Sequence, residues 1–139
     1  MALINLLPHG APFVFIDKII YCQTGVKAKG IFMVSVDNPY LIETNQGVVF
    51  PQTLLLEAMA QVGAIAILSD EKFTNYRTLL TGLSQTVFHG MVHPGDELVI
   101  TSEMVKIKGL FGQRKGEVLV NEKLIAQGSS SFALIRDNK

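Results

Sequence analysis

The segment PQTLLLEAMAQVGAIAIL, from Pro51 to Leu68, is the most apolar stretch of the chain. Its apolar residues fall on all sides of a helical projection, and a proline suits the first turn of a helix. We therefore predict a helix over residues 51–69 that is buried on most sides and ends before the polar stretch DEKFTNYR. One carboxylate, Glu57, and one amide, Gln61, lie inside this apolar segment and need an explanation.

The rest of the chain is dominated by strand-like runs. FVFIDKIIYC and VKAKGIFMVSV precede the helix and are separated by a turn at Thr24 and Gly25, whereas residues 37–46 are predicted as loop. After Thr78 the pattern indicates sheet, with turns at residues 94–96 and 121–122. One helix among five or six strands predicts an α+β domain in which an antiparallel sheet wraps the helix.

Composition limits the class of function. The chain has 139 residues, which suits a single domain over residues 1–139, and its 12 basic and 12 acidic residues balance. This balance gives no argument for nucleic acid or an anionic membrane as a partner. No apolar run reaches the ~20 residues that span a bilayer, and no basic segment follows Met1. The single cysteine, Cys22, excludes an internal disulfide and fits a reducing compartment, so we expect a cytoplasmic protein.

Glu57 and Gln61 are four residues apart and therefore share one face of the predicted helix. Two interpretations of Glu57 remain open. In the first, this face reaches solvent or a subunit interface and the carboxylate is simply hydrated. In the second, a partly desolvated carboxyl stays protonated near neutral pH and donates a proton. The edges of such a sheet can pair with a second copy, so we also expect a dimer.

Three segments, in this order, resemble the β-hydroxyacyl-[acyl-carrier-protein] dehydratases of type II fatty acid synthesis. They are LLPHGAPFVFIDKI, PQTLLLEAMAQ and FHGMVHPGDELVI. The resemblance implies a hot-dog fold, in which a curled antiparallel sheet of five to six strands surrounds one long central helix. It also implies a homodimer or higher oligomer with active sites at the subunit interface, no cofactor, and substrates carried by acyl carrier protein or by coenzyme A.

In that family a helix glutamate handles the leaving hydroxyl of a 3-hydroxyacyl thioester as general acid, and a loop histidine of another subunit removes the C2 proton. The resemblance assigns Glu57 to the glutamate and Gln61 to the glutamine of the motif. Backbone N–H groups at the helix N-terminus, where Gln52 and Thr53 lie, would polarise the thioester carbonyl. We therefore expect Gln61, Gln52 and Thr53 to bind substrate, although Gln52 stands where the family has glycine.

The loop that should carry the histidine has none. It is NPYLIETNQGVVF, and the histidine position falls on Glu43 without a gap and on Thr44 with a gap of one residue. A threonine is no base without help, whereas the carboxylate of Glu43 could remove an activated proton if it reached the cleft. The alternative is that Glu43 is an exposed loop acid.

Other candidate groups carry weaker signals. His9 matches an N-terminal histidine of the family that is not catalytic. His89 and His93 flank Gly90, and no cysteine or acidic cluster completes a site, so we expect no metal. Cys22 is expected in the core. Six basic residues could form a docking surface for an acidic acyl carrier protein or an ordinary solvated surface: Lys27, Lys29, Lys106, Lys108, Arg114 and Lys115.

Two classes of function follow. The first is a dehydratase-like enzyme that acts on 3-hydroxyacyl thioesters in fatty-acid or polyketide-type chain synthesis. The second is a hot-dog protein without dehydratase chemistry, such as an acyl-thioester-binding partner subunit in a heteromer with an active paralogue. A thioesterase, in which Glu57 would activate water, also belongs to this second class.

Overall fold

The computed structural model describes residues 3–7 and 13–136. It contains one α-helix, α1, which spans Gln52–Leu68, and two short 3-10 helices at Leu3–Leu6 and Glu71–Phe73. The eight strands of these described residues are β1 (Lys18–Gln23), β2 (Lys27–Met33), β3 (Ile42–Thr44), β4 (Gly47–Val49), β5 (Tyr76–Phe88), β6 (Glu97–Lys108), β7 (Phe111–Val120) and β8 (Lys123–Arg136).

Six strands form one antiparallel sheet in the order β1-β2-β6-β7-β8-β5. Strands β1, β2, β5, β6 and β7 all contact α1, so the sheet curls around the helix. This is the hot-dog arrangement, and the predicted fold class is confirmed. β3 and β4 form a separate hairpin next to the N-terminus of α1.

The predicted helix is present, with Pro51 as its N-cap residue and Ser69 as its C-cap residue. Every residue of its second half, from residue 61 to residue 68, is buried. The largest buried side chains around it are aromatic and aliphatic, and each fully buried Leu, Ile or Phe contributes about 1.5–3 kcal/mol of transfer free energy. They include Phe15, Phe50, Phe132, Leu55, Ile65, Leu98 and Ile100.

The three predicted turns are confirmed. Gly25 and Gly95 have φ angles of 75° and 93°, a region that costs glycine little. Asn121 and Glu122 have φ angles of 50° and 66° between β7 and β8, as the two central residues of a type I′ hairpin turn require.

Two predictions about secondary structure were wrong. Residues 37–46 are not all loop, because β3 lies within them and pairs with β4. These strands are three residues long and mostly exposed, so they carry no burial period. The run FVFIDKIIYC becomes strand only at Lys18, because the backbone groups of Phe13 and Phe15 bond to the side chain of Gln61 instead of to a strand.

Within the described ranges, no helix combines the length and apolar character that crossing a membrane requires.

Candidate active site

Glu57 lies in the first half of α1, half-buried, at a cleft of about 250 Å³. The helix, β5 and β7 each contribute to its wall. The other lining residues are Leu7, Ala60, Gln61, Ala64, Arg77, Thr78, Leu79, Leu80 and Arg114. Leucine and alanine side chains form an aliphatic part of this wall that a hydrocarbon chain could contact, and the rest of the wall is polar.

Gln61 links this carboxylate to the chain's N-terminal segment. Its side chain is 2% exposed, and its Oε1 accepts a 2.8 Å hydrogen bond from the backbone N–H of Phe15. Its Nε2 donates to the carbonyl of Phe13 at 2.9 Å and lies 3.4 Å from Glu57 Oε1. Gln61 therefore ties α1 to Phe13 and Phe15 and makes a long contact to Glu57, while direct substrate binding by Gln61 remains a prediction.

Arg114 is the residue of this site that the sequence analysis missed. It is 2% exposed on β7, its Nε donates to Ser130 Oγ at 3.2 Å, and its guanidinium lies 4.7 Å from the centre of the Phe132 ring. Burial lowers the pKa of Arg114 to about 10, and the negative charge of Glu57 limits this fall. A positive charge thus remains under the helix at neutral pH.

The assignment of Arg114 to an exposed basic surface was therefore wrong. The signal that could have corrected it is the period of two along β7. Gly112, Arg114, Val118 and Val120 are all buried and point to the same face, whereas Lys115 is exposed.

A glycine of the helix makes room for this arginine. A Cβ placed on Gly63 would lie 2.7 Å from Arg114 Cδ and 2.7 Å from Ser102 Oγ, well inside van der Waals contact. The guanidinium consequently packs directly against the helix backbone, which a residue with a side chain at position 63 would prevent.

The N-terminus of α1 opens beside residue 90. Gln52 is half-buried, and its Nε2 donates to the carbonyl of Gly90 at 3.0 Å, while Thr53 is exposed. Pro51 supplies no side-chain cap, so the first-turn N–H groups have no side-chain acceptor from the N-cap residue. Such groups carry partial positive charge and can bind a carbonyl oxygen.

Glu43 and Thr44 lie elsewhere in the same chain. Glu43 is exposed on β3, opposite Val48, and Thr44 Oγ1 donates to the carbonyl of Gly47 at 2.9 Å. Neither residue lines the cleft of Glu57. One chain therefore does not bring the predicted acid and base together, and a role for Glu43 remains a prediction that needs a second copy.

None of the remaining candidates that the structure describes lines the cleft. His89 and His93 are exposed, His9 lies outside the described residues, and residues 3–7 and 13–136 hold no group of three potential metal ligands. Cys22 is half-buried on β1, packed against the core, as expected. The exposed lysines of the β6–β7 hairpin are Lys106, Lys108 and Lys115.

A central helix that carries a carboxylate at a cleft inside a curled antiparallel sheet defines a protein of the hot-dog class. A family model described as "FabA-like domain" matches residues 7–129, and the chain belongs to this family. Two relatives support the assignment, both named 3-hydroxyacyl-[acyl-carrier-protein] dehydratase FabZ. The Syntrophomonas wolfei protein is 42% identical over 95% of this chain and 92% of its own length. The Caldicellulosiruptor saccharolyticus protein is 38% identical over 96% of each chain.

Solved structures share the fold at low sequence identity. The dehydratase heterocomplex ApeI:P from Xenorhabdus doucetiae matches with a TM-score of 0.81 and 20% identity, over 100% of this chain and 93% of that one. The conserved protein PA5202 from Pseudomonas aeruginosa matches with a TM-score of 0.74 and 17% identity, over 94% and 98% of the two chains.

Proposed function

We propose that this protein acts as a dehydratase on 3-hydroxyacyl thioesters carried by acyl carrier protein. The observation that carries the proposal is the position of Glu57, which lies beside Gln61 at a cleft with a partly aliphatic wall. The names of the FabZ relatives supply the substrate class. A carboxyl in this position can protonate a leaving hydroxyl while the apolar walls bind the acyl chain.

The elimination of water requires an acid at the C3 hydroxyl and a base at the C2 proton. A protonated Glu57 gives its proton to the C3 hydroxyl, the C3–O bond breaks, and water leaves; the carboxylate that results lies near the positive charge of Arg114. A base takes the C2 proton, and the electrons of that C–H bond form the C2–C3 double bond. Glu43 of a second copy is the base in this proposal, because the histidine position of the family falls on Glu43 when the sequences are aligned without a gap, and Thr44, the alternative with a gap, is no base without help.

Self-association is part of the same proposal. β5 is an edge strand that pairs with β8, and no other described strand lies on its outer side. Four large apolar side chains on it are between 42% and 51% exposed: Leu79, Leu80, Leu83 and Val87. An unpaired apolar edge favours pairing with a second copy. We expect a homodimer or higher oligomer at micromolar concentration, and a purely monomeric sedimentation profile would contradict this.

The carrier is expected to dock through charge. Lys106, Lys108 and Lys115 are exposed on one hairpin, and Arg114 no longer belongs to this surface. Acyl carrier proteins are acidic, so their association with this protein should weaken as the salt concentration rises.

Coenzyme A thioesters are the alternative substrates. A turnover rate with coenzyme A thioesters that equals the rate with carrier-bound substrates would favour this alternative. Action on carrier-bound chains fits the cytoplasmic location that the sequence predicts.

A second candidate function is supported by one observation. Among the described residues around the cleft, Glu57 is the only carboxylate and no histidine is present. A subunit with one catalytic group could bind acyl thioesters in a heteromer with an active paralogue, or could activate water as a thioesterase.

One assay separates these functions. Purified protein is given 3-hydroxyacyl carrier protein, and both the enoyl product and the free thiol are measured. Enoyl formation supports the dehydratase and thiol release supports the thioesterase. Activity that arises only after mixing with a histidine-containing paralogue supports the partner subunit. No product under any of these conditions would refute the proposal.

A further inference from the structure

Two buried polar atoms in the described part of the chain have no hydrogen-bond partner: Nη1 of Arg114 and Oγ1 of Thr86. Both residues line one small cavity of about 20 Å³ between α1 and the sheet. The hydroxyl-bearing residues Ser102, Ser129 and Ser130 line it as well. A buried donor without an acceptor costs free energy, so a cavity with five polar side chains needs an occupant that can accept hydrogen bonds.

This cavity is next to the proposed acyl site. Arg114 borders both the small cavity and the cleft of Glu57, and so do Ala60 and Leu80. The remaining walls of the small cavity are largely apolar, with Leu56, Met59 and Leu83 among them. An acyl chain in the cleft of Glu57 would therefore lie beside the same arginine that borders the small cavity.

Size and charge define the occupant. A volume of about 20 Å³ accepts one group the size of a water molecule, which fits a carbonyl or hydroxyl oxygen and is tight for a carboxylate. The charge of Glu57 already acts on that of Arg114. A second anion would leave net negative charge in a medium of low polarity, whereas an uncharged acceptor would not.

We propose that Arg114 is a specificity-determining residue that recognises one uncharged oxygen, a ketone or hydroxyl, on the acyl chain beyond its reacting carbons. This inference rests on the proposed function, because it requires the cleft of Glu57 to bind acyl chains. Chains that carry oxygen along their length are then preferred over fully reduced chains of equal length. The class of reaction that supplies the substrate must leave such an oxygen in place.

The test uses chains that cannot react. Saturated acyl chains of one length are joined to pantetheine by an amide, and each carries a single ketone at a different carbon. Their affinities for the wild-type protein are measured by titration calorimetry against the plain chain. At least one ketone position is expected to bind roughly tenfold more tightly, because a hydrogen bond to a charged donor is among the stronger ones.

Variants of the residues that line the small cavity test whether it causes the tighter binding of ketone-bearing chains. Arg114→Met should remove the difference in affinity between oxygenated and plain chains. Thr86→Val, which keeps the side-chain shape, should reduce the preference and serves if Arg114→Met fails to fold. Lys115→Met is the matched control on the same strand, because Lys115 is exposed, and it should keep the full preference.

Three outcomes would overturn the inference. Equal affinity for all chains in the wild type means that water alone occupies the cavity. A preference that survives in Arg114→Met assigns the recognition to other residues. If neither plain nor oxygenated chains bind, the proposed function fails and this inference fails with it. Equal binding of all chains leaves the proposed function intact, so the two failures can be told apart.

Discussion

The sheet surface under α1 has two unlike halves. In one half, Phe32 of β2 and Leu98 and Ile100 at the start of β6 are buried apolar side chains. In the other half, Ser102 of β6 and Arg114 of β7 are buried polar side chains, Arg114 donates to Ser130 of β8, and a small cavity lies beside them. The apolar half is packed like an ordinary domain core, whereas the other half contains buried polar groups next to a cavity. The half that costs stability is the half that adjoins Glu57.

The largest expected effect concerns activity at the polar half. Glu57→Gln keeps the side-chain shape and removes the ionisable group, so turnover of acyl thioesters should fall by about 10²–10⁴-fold. Steady-state rates of enoyl or thiol formation measure it, and Glu117→Gln on the exposed face of β7 is the control. Retained activity in Glu57→Gln would contradict the assignment of the site.

The stability of Glu57→Gln should fall as well. From the sequence, removal of a carboxylate from an apolar helix is neutral or stabilising. Arg114 reverses this expectation, because the variant leaves a buried guanidinium without the nearby negative charge. Urea unfolding measures the change, and a variant more stable than wild type would show that the two charges are not coupled.

The second prediction compares the two halves directly. Ile100→Ala in the apolar half should lower the free energy of unfolding by about 2–5 kcal/mol, because it leaves a cavity in a closely packed core. Ser130→Ala in the polar half removes one acceptor of Arg114 and should cost only about 1 kcal/mol. Equal losses in urea unfolding would mean that the halves are packed alike.

The third prediction concerns the contact between helix and arginine. Gly63→Ala should destabilise the protein by roughly 1–3 kcal/mol, because the new Cβ overlaps Arg114 Cδ and Ser102 Oγ. The cost should be smaller when the same change is made in Arg114→Ala. A double-mutant cycle measures this difference, and strictly additive losses would show that the arginine is not the obstacle.

The smallest effect concerns pH. The pKa of Arg114 is about 10 in the folded chain, below its ordinary value, so unfolding takes up a proton above about pH 10. Wild-type stability relative to Arg114→Met should therefore be constant below about pH 9 and rise with pH above about pH 10, by up to about 1.4 kcal/mol per unit. All other ionisable groups are common to both proteins, so their contributions cancel in the difference. A relative stability that falls with pH would have the wrong sign.

The elements that were predictable from the sequence have strong local signals. The helix over residues 52–68 follows from its continuous apolar pattern, and the hairpin turns follow from glycine and asparagine in left-handed conformations. Glu57 was a candidate because a carboxylate among leucines is unusual. Each of these signals lies within a short segment of the sequence, and the tertiary packing agrees with it.

Other elements have no such signal. β3 and β4 are too short and too exposed to show a period. Arg114 lies beside Lys115, and composition alone marks the pair as a solvated surface, although the register set by Val118 and Val120 turns Arg114 inward. The link between Gln61 and Phe15 joins residues 46 positions apart and depends on the folded path of the chain.

The fit between Gly63 and Arg114 also constrains how such a site can arise. With any side chain at position 63, an arginine at position 114 would collide with the helix, whereas a glycine there is compatible with a smaller residue at 114. Substitutions occur one at a time, so a path on which the glycine precedes the arginine avoids an intermediate destabilised by this overlap. Position 63 is thus a permissive step, and reversion to alanine is disfavoured once Arg114 is in place.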